Sequence, residues 1–276
     1  PLIMNSKTLL LTIFATLCTT AKLQSQATDT LTSSKTITNT QMVGVGYTQL
    51  LDTYLSPEQY TGTETRYLSH TVRQKDSRQW ISLILHEGSI ATAHNRADNA
   101  NYMAGHYAFT YGRQRQWTQL DNRLTLRAGA QIQALAGFLY NTRNSNNPAQ
   151  AQLQLQMSPN AAATYRFGIA GKPCAISYEV AVPLAGIMFS PNYGQSYYEI
   201  FSKGNYDHNI VPTTILTTPS LKQMLTLQCT LKHATLTIGY LGDYQQAKVN
   251  SLKQHAYTHM VVIGIKRKFK ITKLLP

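Results

Sequence analysis

The chain has 276 residues, with 25 Lys and Arg against 12 Asp and Glu, a formal charge of +13, yet charged residues make up only 13% of it. That share is about half of what a soluble globular domain carries, and the remaining polarity comes from Thr, Gln, Asn, Ser and 17 Tyr, a strand-and-turn composition. Three cysteines exclude a scaffold built on disulfides.

In chain order, the first feature is a targeting pattern. Lys7 supplies a positive start and LLLTIFATLC (Leu9 to Cys18) an apolar core too short to span a bilayer. Small residues follow, so residues 1–27 are predicted to be a cleaved signal peptide and 28–40 a short periplasmic segment. Cys18 follows Leu17 rather than a small residue, which argues against a lipoprotein. No later window offers 18 uninterrupted apolar residues, so no transmembrane helix is predicted. The mature chain is then either soluble and secreted or a membrane barrel.

Period-2 alternation decides between the two. It recurs in ten segments: 41–50, 60–74, 79–94, 101–116, 121–141, 151–170, 173–189, 220–231, 234–247 and 254–270. In the fifth, every second residue from Leu124 is Leu, Leu, Ala, Ala, Ile, Ala, Ala, Phe, Tyr. The intervening set begins Arg123, Thr125, Arg127, Gly129, Gln131, Gln133. In KQMLTLQCTL, Leu225, Leu227, Cys229 and Leu231 oppose Thr226, Gln228 and Thr230. The last segment sets Tyr257, Val261, Ile263, Ile265 and Phe269 on one face.

Several segments exceed the five or six residues usual for strands of soluble domains. They suit a tilted membrane strand, which needs roughly 9–11. Connections alternate as well. QKDSR, WTQLD, AGKPC and LKHA are short; LLDTYLSPEQYTG, NRADNAN, TRNSNNPAQA, Ser190–Pro219 and AKVNSLKQ are mostly longer. Short turns on one side and longer loops on the other mark an outer-membrane barrel.

The predicted fold is therefore all-β: a closed antiparallel up-and-down transmembrane β-barrel of about ten strands over residues 41–270, with 271–276 as a periplasmic tail, in the bacterial outer membrane. Arg123, Arg127, Gln131 and Gln133 face its lumen and Leu124, Leu126, Ile132 and Phe138 face lipid. The reverse register would place charge at mid-bilayer, at roughly 2–4 kcal/mol each. A secreted two-sheet sandwich also alternates, but its outer face should be charged and its strands shorter.

Three stretches carry a resemblance: YLSPEQYTGTETRYL (Tyr54 to Leu68), PLAGIMFSPNYGQSYYEIFSKGN (Pro183 to Asn205) and IGYLGDYQQAKVNSLKQHAYTHMVVIG. They resemble a family of outer-membrane proteins from Gram-negative gut-type bacteria, domain of unknown function 3316, from about Gly44 to Gly264. The resemblance implies export and a barrel. It carries no activity, ligand or catalytic residue to transfer.

Candidate sites follow from the barrel. Arg66, Arg123, Arg127 and Arg166 point into the lumen, with Glu64 and Glu179 as partners. Paired, they form a structural plug; unpaired, they line a narrow anion-preferring channel. Tyr54, Tyr60, Tyr193, Tyr197, Tyr198, Tyr206, Asp207 and His208 sit at the long loops, as girdle and loop packing or as a surface for glycan or protein.

Proteases of the omptin kind use an Asp–His pair and an Asp pair on opposing loops. Asp98 and Asp207–His208 lie in the second and fourth long loops, but adjacent residues of an extended chain diverge and no second Asp accompanies Asp98. A lipid hydrolase would need a Ser/His trio, which the eight His do not single out. The reading is non-enzymatic, with an outer-membrane hydrolase as a further alternative. No cofactor and no metal site is predicted, since His255 and His259 stand ~13 Å apart along one strand face. Cys174 and Cys229 are predicted as small lipid-facing side chains, with a cross-strand disulfide as the alternative. Expected partners are outer-membrane lipid, lipopolysaccharide and the barrel-assembly machinery. Nucleic acid is not among them, because the basic residues collect at the periplasmic end.

Overall fold

The computed structural model describes residues 34–75, 79–144, 147–231 and 234–272. The predicted signal peptide, residues 28–33 and the last residues of the tail lie outside them. The strands are β1 (Ser34–Asp52), β2 (Ser56–Lys75), β3 (Trp80–Asn95), β4 (Asn101–Gln119), β5 (Leu124–Asn141), β6 (Ala149–Ile169), β7 (Lys172–Ala181), β8 (Ala185–Phe189), β9 (Ile210–Thr214), β10 (Leu221–Thr230), β11 (Thr235–Val249) and β12 (Leu252–Thr272). One short helix, α1 (Tyr197–Phe201), lies between β8 and β9.

Ten strands close into an antiparallel ring, β1 to β7 followed by β10, β11 and β12. Two long ladders seal it. β1 pairs with β12 from Ser34↔Thr272 to Asp52↔Gln254, and β5 pairs with β6 from Leu124↔Tyr165 to Tyr140↔Ala149. Among the described residues each of the ten strands is paired on both sides, as a hydrocarbon solvent requires.

The predicted seventh segment, 173–189, is two strands rather than one. Pro183 has no N–H to donate, so the ladder breaks there. The flanking amides keep the contact to β6: Val182 N donates to Pro159 O and Leu184 N to Met157 O. β8 then continues along β6 at Gln154–Met157 and pairs on its other side with β9. β9 lies inside the predicted 190–219 loop. Its connection to β10 is held to β11 by Lys248 N donating to Thr217 O at 2.9 Å.

The first and last predicted long loops are tight turns. Asp52 closes the first: Leu55 N donates to its carbonyl and Tyr54 N to its Oδ1. Asn250 and Ser251 form the last, both with positive φ (49° and 61°), the backbone of a two-residue hairpin turn. The barrel also starts earlier than predicted, since Ser34 to Thr40 are already paired in β1.

Side chains sort radially. Val43, Val45, Phe109, Ile132, Leu155, Leu227, Ile238, Val261 and Ile263 face outward and exposed. Two histidines on that face are paired with tyrosines: His86 Nδ1 with the Tyr107 hydroxyl at 2.7 Å, and His259 Nδ1 with the Tyr240 hydroxyl at 2.6 Å. At the short-turn end, Arg113 and Arg115 lie over the rings of Trp80 and Trp117. Glycine lets the wall curve tightly inward: a Cβ on Gly46 would fall 2.0 Å from His259 O.

Inside the ring, Met42, Leu68, Leu241, Met260 and Val262 form an apolar cluster. Nearer the long-loop end, Leu50, Leu55, Tyr60, Ala93, Ala100, Tyr102 and Leu139 form another. Cys174 and Cys229 are directly opposed on β7 and β10 and joined in a disulfide, correcting the expectation of two separate thiols.

Candidate functional site

A belt of charge crosses the bore. Inward-pointing positions of β2, β3, β10 and β11 bring Glu64, Arg66, Glu87, Lys222 and Asp243 together. Arg66, only 2% exposed, donates from Nε to Glu64 Oε1 at 2.8 Å and from Nη1 to Asp243 Oδ2 at 2.6 Å. Glu87 sits 3.6 Å from Arg66 Nη1 and accepts from Lys222 Nζ. The second oxygen of Glu64 accepts from Thr258 Oγ1 at 2.7 Å. Every charge in the belt has an opposite charge in contact, which is what burial demands.

Only Glu64 and Arg66 of this belt were singled out from the sequence. Glu87 and Asp243 could have been found by parity, since each shares the inward set of its strand with buried neighbours (Leu83 for Glu87, Leu241 for Asp243). The belt on the turn side meets the apolar cluster of Met42, Leu68 and Leu241.

Below that cluster, towards the short turns, the bore widens to a cavity of about 290 Å³. Arg127, Arg166, Lys266, Lys268 and Glu179 line it. Arg127 Nη2 donates to Glu179 Oε1 at 3.1 Å, and His70 Nε2 stands 3.3 Å from Glu179 Oε2. Arg166 donates to Thr125 Oγ1 at 2.7 Å. Arg127, Arg166 and Glu179 therefore line the bore. Arg123 does not: it lies exposed in the turn before β5, where its N–H donates to Leu120 O, because the strand starts one residue later.

At the opposite end, the chain from Ser190 to Asn209 folds into a platform around α1. Ser196 caps the helix: Glu199 N donates to Ser196 Oγ and Ser196 N to Glu199 Oε2, a capping box. These bonds hold the Glu199 carboxyl below its ordinary value of 4.5. Tyr197 anchors the helix to the barrel. Its hydroxyl donates to Gln150 Oε1 and accepts from Ala151 N, and its ring packs on Phe189, Phe201 and Tyr54. Burial pushes the hydroxyls of both Tyr197 and Tyr54 up to about 12. Tyr54 donates to Gln195 O.

Tyr54 and Tyr197 are thus built into the rim. Tyr60 departs further from the loop placement: it is buried inside the barrel, stacked on Tyr102 with centroids 3.6 Å apart, because β2 begins at Ser56. Tyr193, Tyr198 and Tyr206 remain exposed, at 78%, 63% and 64%, and Phe201 at 61% joins them.

Asp207 and His208 do meet, Oδ1 to Nδ1 at 2.5 Å. The φ of +52° at His208 turns the two side chains together, against the divergence expected of extended backbone. Both side chains are more than two-thirds exposed. Asp98 lies in the exposed turn after β3. Among the described residues no group of three His, Cys, Asp or Glu could hold a metal ion. Among the described residues no helix is long and apolar enough to cross a membrane.

Comparison with solved structures finds β-barrels of low sequence identity. One is the outer membrane protease OmpT from Escherichia coli, 8% identical, covering 90% of this chain and 100% of that chain, with a TM-score of 0.46. Another is the transport unit of the autotransporter AIDA-I from Escherichia coli, 9% identical, covering 94% and 97%, at 0.40. A third is the translocator domain of the autotransporter NalP from Neisseria meningitidis, 10% identical, covering 96% and 97%, at 0.39. A search of curated proteins finds no match. The family described as protein of unknown function (DUF3316) matches residues 8–274, so the chain belongs to that family.

Proposed function

We propose that this chain is an outer-membrane barrel with an occluded bore, whose work is done at its extracellular rim by binding a ligand or partner. The long-loop end faces out and the short-turn end faces the periplasm, as in barrels of this membrane. The observation that carries the reading is the belt around Arg66. Its five charged side chains span the lumen, and four of them are 5% or less exposed at the side chain. A pore needs a continuous wet path, which a buried belt of paired charges across the lumen obstructs.

The rim supplies a surface instead. A capped helix anchored by Tyr197 holds Tyr198 and Phe201 in place, with Tyr193 and Tyr206 flanking them. Aromatic groups on a fixed support give contact area at little entropic cost. The role is non-enzymatic, with the Asp207–His208 pair a feature of the loop surface.

Planar-bilayer recording of the refolded barrel tests the occlusion: a flat trace is expected, and stepwise anion-selective current would replace this reading with the channel. Glycan-array and protein-binding screens test the rim, with binding expected for the native chain and lost in Tyr198→Ala/Tyr206→Ala. Incubation with peptides or lipopolysaccharide should give no turnover. Turnover that disappears in Asp207→Ala would make the chain a hydrolase.

A further inference from the structure

The cavity at the turn end is not explained by a rim that binds and a bore that is closed. It is blind, since Met42 and Met224 form its inner end and the apolar cluster and charge belt lie beyond. At about 290 Å³ it stands at the lower end of the roughly 300–1,000 Å³ of small-molecule pockets. Four cations, Arg127, Arg166, Lys266 and Lys268, face it against one carboxylate, Glu179.

Hydroxyls complete the lining. Thr40, Thr125, Ser177, Thr226 and Thr237 are all buried and come from five different strands, β1, β5, β7, β10 and β11. One of them lacks a partner: Thr237, 1% exposed, has a buried Oγ1 with no hydrogen bond. A buried polar atom normally has a partner. Here the atom belongs to a wall of the cavity, so a bound group would supply the missing bond.

We propose that this cavity binds a small molecule carrying a phosphate-type oxyanion. The arrangement of donors selects that chemistry. A planar carboxylate is matched by a fork on one side. Here cations from β5, β6 and β12 and hydroxyls from around the ring converge from several directions, as a tetrahedral dianion requires. Glu179 is already held by Arg127 and His70, so it does not cancel Arg166, Lys266 and Lys268. The volume leaves room beside one phosphate for a small polar body such as a sugar ring. On the membrane reading the mouth opens to the periplasm, and the site is independent of what the outer rim binds.

The test is isothermal titration of the full barrel, folded in detergent, with inorganic phosphate, a hexose phosphate and citrate. Saturable binding of inorganic phosphate or the hexose phosphate is expected, and tighter binding of the hexose phosphate identifies a monoester as the ligand. Thr237→Val keeps the side-chain shape and removes the hydroxyl; it should weaken binding about tenfold. Arg166→Gln/Lys268→Gln, at the open mouth, should weaken it similarly and flatten its salt dependence. Folding is verified by heat-modifiable gel mobility. No saturable phosphate binding, citrate binding as tightly, or affinity unchanged in both variants would overturn the assignment.

Discussion

The guanidinium of Arg66 on β2 and the carboxylate of Asp243 on β11 meet at 2.6 Å across the bore, 177 residues apart in sequence. The contact passes over the intervening β1 and β12, which carry no charge at this level. Thr258 of β12 reaches in to Glu64 from the same side.

Removing Arg66 would leave Glu64, Glu87 and Asp243 buried against Lys222 alone. Arg66→Met should therefore lower unfolding stability by about 3–5 kcal/mol, read by urea denaturation of the detergent-folded barrel. Adding Asp243→Asn should return part of that loss. A double variant whose loss equals the sum of the two singles would show that the pair is not coupled.

Tyr60 and Tyr102 should behave as core residues. Tyr102→Ala removes a stacked ring from the upper cluster and should cost about 3–5 kcal/mol in the same assay. Tyr198→Ala, on the exposed rim, should leave the unfolding midpoint where it is. A midpoint that falls as far for Tyr198→Ala would remove the distinction between packing and surface tyrosines.

Cys174 and Cys229 should resist thiol labelling in the unfolded chain until a reductant is added, as read by peptide mass. The link spans 55 residues, and the chain-entropy account gives about 4 kcal/mol for closing a loop of that size. Cys174→Ser/Cys229→Ser should lose stability of that order. Immediate labelling of both thiols would show that the bond does not form.

The α1 platform should loosen in acid. Glu199 in the capping box has a depressed carboxyl value, so its contribution is fully present above 4.5 and is lost as pH falls through the lower folded value. Limited proteolysis between Ser196 and Asn205 should accelerate below that window. Glu199→Gln keeps a side-chain acceptor for Ser196 N, so it should flatten the pH dependence. Cleavage that is equally fast at every pH from 7 down to 3 would argue against the box as the latch.

Much of the barrel was legible because alternation is a local signal. Strand existence, ring size and the inward set of β5 follow from odd and even positions read within one segment. The break at Pro183 was also written locally, yet the alternation of Ile176, Tyr178, Val180, Val182 and Leu184 runs straight through it. The turns at Asp52 and Asn250 were hidden by polar flanks that read as loop, while their strands run on to Asp52 and Ser56 and to Val249 and Leu252. The belt was half visible. Parity puts Glu64 and Arg66 in the lumen, but their partners Asp243, Glu87 and Lys222 are fixed by strand stagger around the ring, which no single segment reports. The tyrosines divided in the same way: nothing local separates Tyr60, turned into the interior, from Tyr198, turned away from it.

The apolar cluster of Leu50, Tyr60, Tyr102 and Leu139 has a consequence for how the barrel sits. A strand such as β2, with 20 residues, rises about 50 Å at the usual rise and tilt, twice the height of an apolar band. Around the cluster the outer wall mixes Thr63, Thr92, His94 and Lys253 with exposed Met103 and Tyr140, so an apolar interior stands there behind a partly polar wall. Lower down, the wall is apolar outside and encloses the charge belt, a second apolar cluster and the cationic cavity. In an outer membrane, the level where the wall turns partly polar would act as a waterline and set the depth at which the barrel rides.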